Sequence, residues 1–132
     1  MAFWLLKTEP STYSWNDLVK AKRAVWDGVK NPTALRNLRE MKVGDQAFIY
    51  HTGDEKSIIG IAKVVKAAYP DPKAGDESLV VVDLEPVKPL KNPVTLASIK
   101  ADKRYAPWAL VRIPRLSVMP VSPEHWKELS GS

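Results

Sequence analysis

The chain has 132 residues, 45% hydrophobic and 27% charged, with 20 Lys and Arg against 15 Asp and Glu for a formal net charge of +5. That length suits one domain with a packed core and is too short for two, and the absence of cysteine excludes disulfides and thiolate-bound zinc. No apolar run approaches the roughly 20 residues that span a bilayer, so no membrane partner is expected; the lack of cysteine is compatible with the reducing cytoplasm where the protein is expected, and the charge leans modestly toward polyanions.

Eleven prolines call for many short elements joined by defined turns and argue against a helical bundle. Phe3-Trp4-Leu5-Leu6-Lys7 is apolar on both alternating faces, which reads as a strand in a covered sheet rather than a signal peptide. It ends at Thr8-Glu9-Pro10, where Pro cannot continue a ladder. Ser14, with Asp17 three residues on, caps a short helix striped by Trp15, Leu18 and Val19. Lys20 to Arg23 form a small basic patch, and Val25-Trp26 a short strand. Asp27-Gly28 turns the chain. Asn31-Pro32 then opens a second helix, Asn as N-cap and Pro at its first position, with Leu35, Leu38 and Met41 on one face. Val43-Gly44-Asp45 closes it.

Gln46 to Thr52 alternates, with Phe48 and Tyr50 on one face and Ala47, Ile49 and His51 on the other. Gly53 to Lys56 is a hairpin connection. Ser57 to Lys66 returns as a strand in which Gly60 marks a bulge or a close approach. Tyr69 to Asp76 reads as a loop, and Leu79 to Leu84 as a strand broken by Pro86 and Pro89. Thr95 caps a short helix over Leu96, Ala97 and Ile99. Trp108 to Arg112 fits either a strand or a helical turn. Leu116 to Val121 is the last strand, and Ser122-Pro123-Glu124 starts a terminal helix with Trp126 and Leu129 inward. The expected architecture is an α+β domain over residues 1–132: a small mixed or antiparallel β-barrel of about six strands with short peripheral helices.

The stretch from Val25 to Pro32 carries the chemistry. It sets an aromatic ring beside loosely held backbone N–H groups and an Asn amide, an arrangement suited to a flat polar ligand such as a nucleobase. Catalysis finds no support: Ser117 has neither a neighbouring His nor a Gly-x-Ser-x-Gly turn, and no Gly-rich phosphate loop is present. His51 and His125 stand far apart without a carboxylate set, so neither a metal nor a cofactor is expected.

Trp4-Leu5-Leu6-Lys7-Thr8-Glu9-Pro10, Trp26-Asp27-Gly28-Val29-Lys30-Asn31 and Phe48-Ile49-Tyr50-His51-Thr52 together resemble the EVE domain family. Gly60 to Val64, Ala68 to Pro72 and Arg115 to Val121 extend the match in the right order over nearly the whole chain. The resemblance implies a PUA-like barrel related to the YTH domains. It also implies a non-catalytic reader of modified bases in DNA or RNA. Lys30 stands where the family usually has Arg, keeping the charge and losing the planar fork. Thr52 stands where Ser is common.

Trp26 is the candidate stacking ring, set against the alternative of a core residue, with Tyr50 or Trp108 as the opposite wall. Asn31 either reads a base edge or merely caps its helix. His51 either bonds a base or satisfies a local carbonyl. Thr8, Thr52 and the backbone near Gly28 complete the expected pocket. If family geometry holds, Lys7 and Glu9 lie beside it; Glu9 then accepts from an exocyclic amine or pairs with Lys7 or Lys30. Lys30, Arg112 and Arg115, with Lys7, are the candidate phosphate contacts. The expectation is a monomer or weak dimer that binds nucleic acid. The alternatives are an enzyme acting on a modified nucleoside or nucleotide, and a protein-interaction module with a basic face.

Overall fold

β1 (Phe3–Thr8) lies inside a six-stranded sheet, and its Trp4, Leu5 and Leu6 are buried whichever face they point to. The computed structural model describes residues 1–131. After β1 come α1 (Trp15–Ala21), β2 (Ala24–Trp26), α2 (Pro32–Glu40), β3 (Gln46–His51), β4 (Ser57–Pro70) and β5 (Val80–Thr95). Then follow α3 (Leu96–Lys100), a 3₁₀ turn at Lys103–Tyr105, α4 (Ala109–Arg112), β6 (Val118–Val121) and α5 (Pro123–Ser130). The undecided stretch after Trp108 is thus helical.

The sheet order is β2-β5-β4-β3-β1-β6. β1 and β3 pair in parallel, from Phe3 opposite Gln46 to Thr8 opposite His51, and every other pairing is antiparallel. The parallel pair requires a crossover, which α1, β2 and α2 supply. The expected mixed sheet and short helices are present, but the edge strands β2 and β6 do not pair with each other, so the sheet is not closed into a hydrogen-bonded barrel. Both edges are protected. β2 is only three residues long. In β6, Pro120 has no N–H, its carbonyl accepts from the Trp108 indole at 3.0 Å, and the Val118 carbonyl accepts from the Asn37 amide at 2.7 Å.

The β4–β5 ribbon corrects the sequence reading. β4 continues through Tyr69 to Pro70, and β5 runs on through Pro86, Pro89 and Pro93. Beyond Leu84 no second strand pairs with β5, so prolines there have an open side on which no N–H is needed. Four register shifts along the ribbon increase its twist and bend it. Gly60 sits at one of them and is also a close approach: a Cβ there would lie 2.8 Å from the Trp15 ring.

The predicted N-terminal caps are in place, whereas α2 ends at an extended Met41, three residues before the Gly44 turn expected to close it. Ser14 and Asp17 form a reciprocal capping box, and Asn31, Thr95 and Ser122 each accept from backbone N–H groups of the helix they begin. The Trp126 ring of α5 stacks on Phe3 at 4.6 Å and Phe48 at 4.0 Å, joining α5 to β1 and β3. Asp45, after α2, is buried. It accepts from the Trp4 indole at 3.0 Å and from the backbone N–H groups of Ala2 and Lys42. Burial pushes its carboxyl upward, but these donors outweigh burial and hold it below the usual carboxylate value.

Candidate binding pocket

A cavity of about 710 Å³ opens where the two sides of the sheet come near each other. β2 and the loop after it form one side, and Lys7 and Thr8 of β1 with Ser117 before β6 form the other. The cavity thus lies between the edge strand β2 and the end of β1, two strands that the sheet order does not pair.

Two aromatic residues make a corner of this cavity. Trp26 is 7% exposed and contributes from β2. Tyr13, partly buried, meets it edge-on at 6.2 Å between ring centroids. The Thr8 hydroxyl donates to the Tyr13 carbonyl at 2.6 Å, tying that segment to the end of β1. The Tyr13 hydroxyl has no partner; burial, then Asp17 and Asp27, push its pKa upward. Within the protein, the backbone N–H groups of residues 27–30 and the Trp26 indole N–H make no hydrogen bond. These are the free donors anticipated around Gly28, whose φ of 79° lies in the left-handed region that Gly tolerates.

Cations surround the corner: Lys7, Arg23, Lys30 and Lys73 line the cavity, with Asp27 as the sole acid among its described lining residues. The Lys7 ammonium donates to the Pro114 carbonyl at 2.9 Å, and burial lowers its pKa. The Arg23 guanidinium is held by Asp83 through Nη2 at 2.9 Å and Nε at 3.3 Å. Asp83 is buried and also accepts from the Tyr69 hydroxyl at 2.5 Å. That bond is the main reason the Tyr69 hydroxyl is pushed up to about 12. Burial raises the Asp83 carboxyl, but the bonds from Tyr69 and Arg23 prevail and keep it low.

Of the residues singled out from sequence, Trp26, Thr8, Gly28, Lys7 and Lys30 line the cavity. The others lie elsewhere. The Asn31 oxygen accepts from the N–H groups of Thr33 and Ala34, which is a cap. Tyr50 is buried, with the Lys7 ammonium 5.7 Å from its ring centroid. His51 is buried between elements: its Nε2 accepts from the Trp15 N–H at 2.9 Å and its Nδ1 lies 2.7 Å from a Glu55 oxygen. This pattern assigns the proton to Nδ1. Glu9 pairs with neither Lys7 nor Lys30; it accepts from Ser11 and from the Thr52 hydroxyl, which occupies both residues locally. Trp108 is 6% exposed and committed to the β6 edge. Arg112 and Arg115 are exposed and away from the cavity.

Sequence reasoning missed Tyr13, Asp27, Lys73 and Ser117 as cavity residues, and it noted Arg23 only as part of a patch. Asp27 stood inside the motif but read as a turn residue. Tyr13 and Lys73 carried no local signal; long-range chain reversal brings them there. Among the described residues no group of three or more His, Cys, Asp or Glu could hold a metal ion. No described helix is long and apolar enough to cross a membrane.

The EVE domain family model matches residues 2–131. Thymocyte nuclear protein 1 of Gallus gallus is 36% identical over 129 residues, covering 86% of this chain and 53% of its own length. This chain therefore spans about half of that relative. Among solved structures, the NMR structure of a Rhodopseudomonas palustris protein superposes with a TM-score of 0.93 at 45% identity, covering 99% of this chain and 92% of the other. The human THYN1 protein, solved in complex with 5-methylcytosine-containing DNA, superposes with a TM-score of 0.89 at 30% identity, covering 99% and 96%.

Proposed function

The chain belongs to the EVE domain family, and from that premise we propose that it is a non-catalytic DNA-binding module that reads a modified base in the cavity between β2 and the end of β1. The observation that carries this reading is the Tyr13–Trp26 corner ringed by four cations. It stands in a chain that superposes on the human THYN1 protein bound to 5-methylcytosine DNA. A base swung out of a duplex costs a few kcal/mol. Stacking on an aromatic returns about 1–3 kcal/mol per base, and a buried methyl adds about 0.8 kcal/mol. Free N–H groups along residues 27–30 supply edge hydrogen bonds. Trp26 is largely buried, so it forms the floor of the pocket, and Tyr13, not Tyr50 or Trp108, is the second wall.

Lys30, Lys73 and Arg23 rim the pocket and hold flanking phosphates, whose contacts position the strand without reading sequence. No histidine lines the cavity and its one acid is unpaired, a set suited to recognition rather than bond cleavage. The test is equilibrium binding of matched DNA with and without 5-methylcytosine, single- and double-stranded, at two salt concentrations. A preference for the methylated strand that persists at higher salt supports the reading. Uniform binding that disappears with salt is backbone attraction alone and favours a basic interaction face instead.

A further inference from the structure

Asp27 lines a cavity that also holds Lys7, Arg23, Lys30 and Lys73, yet its carboxylate makes no ion pair or hydrogen bond. It follows Trp26 directly and its charge reaches the Tyr13 hydroxyl, so it flanks the aromatic corner where a base would stack. Glu9, the acid first considered for contact with an exocyclic amine, is occupied by Ser11 and Thr52 and lies outside the cavity. Within this segment Asp27 is therefore the side-chain acceptor, next to a run of backbone N–H donors at residues 28–30 that make no hydrogen bond within the protein. An ionised carboxylate only accepts and a backbone N–H only donates. The complement is a base edge with an amine followed by acceptors. Cytosine presents that order with its 4-amine, N3 and O2, and adenine presents the amine and N1. Thymine and uracil place a carbonyl oxygen against the carboxylate and an N–H against the donors.

We propose that Asp27 is a specificity-determining residue that admits bases carrying an exocyclic amine on the pairing edge, cytosine type first, and rejects thymine and uracil. The proposal rests on the base-reading function above and assigns its chemical class. The experiment is fluorescence anisotropy with single-stranded DNA carrying one 5-methylcytosine, one cytosine or one thymine at the same position, on wild type and Asp27→Asn. 5-Methylcytosine and thymine share the 5-methyl group and differ on the pairing edge, so their ratio isolates the edge. A correct carboxylate contact is worth about 5- to 150-fold in discrimination. Wild type is expected to prefer 5-methylcytosine over thymine by at least ~5-fold, and Asp27→Asn, whose amide can also donate, to bring the ratio close to one. Because Asp27 is exposed and bonded to nothing, Asp27→Asn folds as wild type does, and the ratio cancels any general gain from losing a negative charge. A wild type indifferent to the edge, or an Asp27→Asn protein with the wild-type ratio, overturns the proposal. If that happens while methylated cytosine is still preferred to unmethylated, the reader function stands; if that preference is absent too, both fall.

Discussion

Asp83 fixes the one arginine of the cavity: its Oδ2 accepts from Arg23 Nη2 at 2.9 Å and from Nε at 3.3 Å, while Tyr69 takes its other oxygen. The guanidinium is half exposed and the carboxylate buried, so the pair places a charge toward the cavity and anchors it in the sheet. Arg23→Gln is expected to weaken DNA binding and to lower the salt slope, d log K/d log[salt], by about one phosphate's worth. Asp83→Ala is expected to cost roughly 1–3 kcal/mol of folding stability, because it strips a charged acceptor from two donors. Salt-dependent binding and urea unfolding check the two effects separately.

Tyr13 contributes ring area with an unpartnered hydroxyl. Tyr13→Ala should reduce affinity for methylated DNA by about 5- to 150-fold, the equivalent of one stacking contact. Tyr13→Phe should retain most of it. Equal loss in both variants would mean that the hydroxyl, not the ring, makes the contact.

His51 gives a control on where the site ends. Its ring joins the start of α1 to Glu55, so His51→Ala leaves the Trp15 N–H without its acceptor. We expect a loss of roughly 1–3 kcal/mol in stability. The folded fraction should show unchanged preference for methylated DNA, measured well below the unfolding midpoint.

Gly60→Ala places a methyl against the Trp15 ring, 2.8 Å from the Cβ position. Overpacking of that kind costs typically 1–3 kcal/mol. A thermal melt reads the change, and the double variant Gly60→Ala/Trp15→Leu should recover part of it.

The N-terminal caps and the starts of β1, β3 and β4 were legible because local sequence determines them: Ser14 with Asp17 three residues on is a capping box whatever surrounds it. The run of β5 through Pro86 and Pro89 was hidden because the rule against proline depends on which side of the strand is paired, and only the tertiary fold decides that. The pocket was half legible for the same reason. Trp26 to Lys30 are contiguous and carry a recognisable motif, whereas Tyr13, Lys73 and Ser117 reach the same cavity from three other segments. Tyr50 and His51 sat in a motif too, but both faces of β3 are covered, so their strand points them into the core.

Acid should unfold the protein through its two buried carboxylates. Asp45 and Asp83 are both held below the usual carboxylate range by donors in the folded state. A depressed folded pKa contributes stability that is fully present above the unfolded value and lost as pH falls through the folded one. Melting temperature should therefore show no loss from these two groups between neutral pH and about pH 5, and should fall below about pH 4. Asp45→Asn should start lower and show a shallower acid limb.

The central claim is that a base enters the corner made by Trp26. Five tryptophans give five indole N–H resonances, and those of Trp4 and Trp108 are bonded to Asp45 and to the Pro120 carbonyl, away from the cavity. The most direct measurement is a ¹⁵N-edited NMR titration of these indole signals with a short DNA strand containing one 5-methylcytosine, against the unmodified strand. The account predicts that the Trp26 signal shifts most, and more with the methylated strand, while those of Trp4 and Trp108 stay in place. Saturable binding that leaves the Trp26 indole unmoved would contradict it.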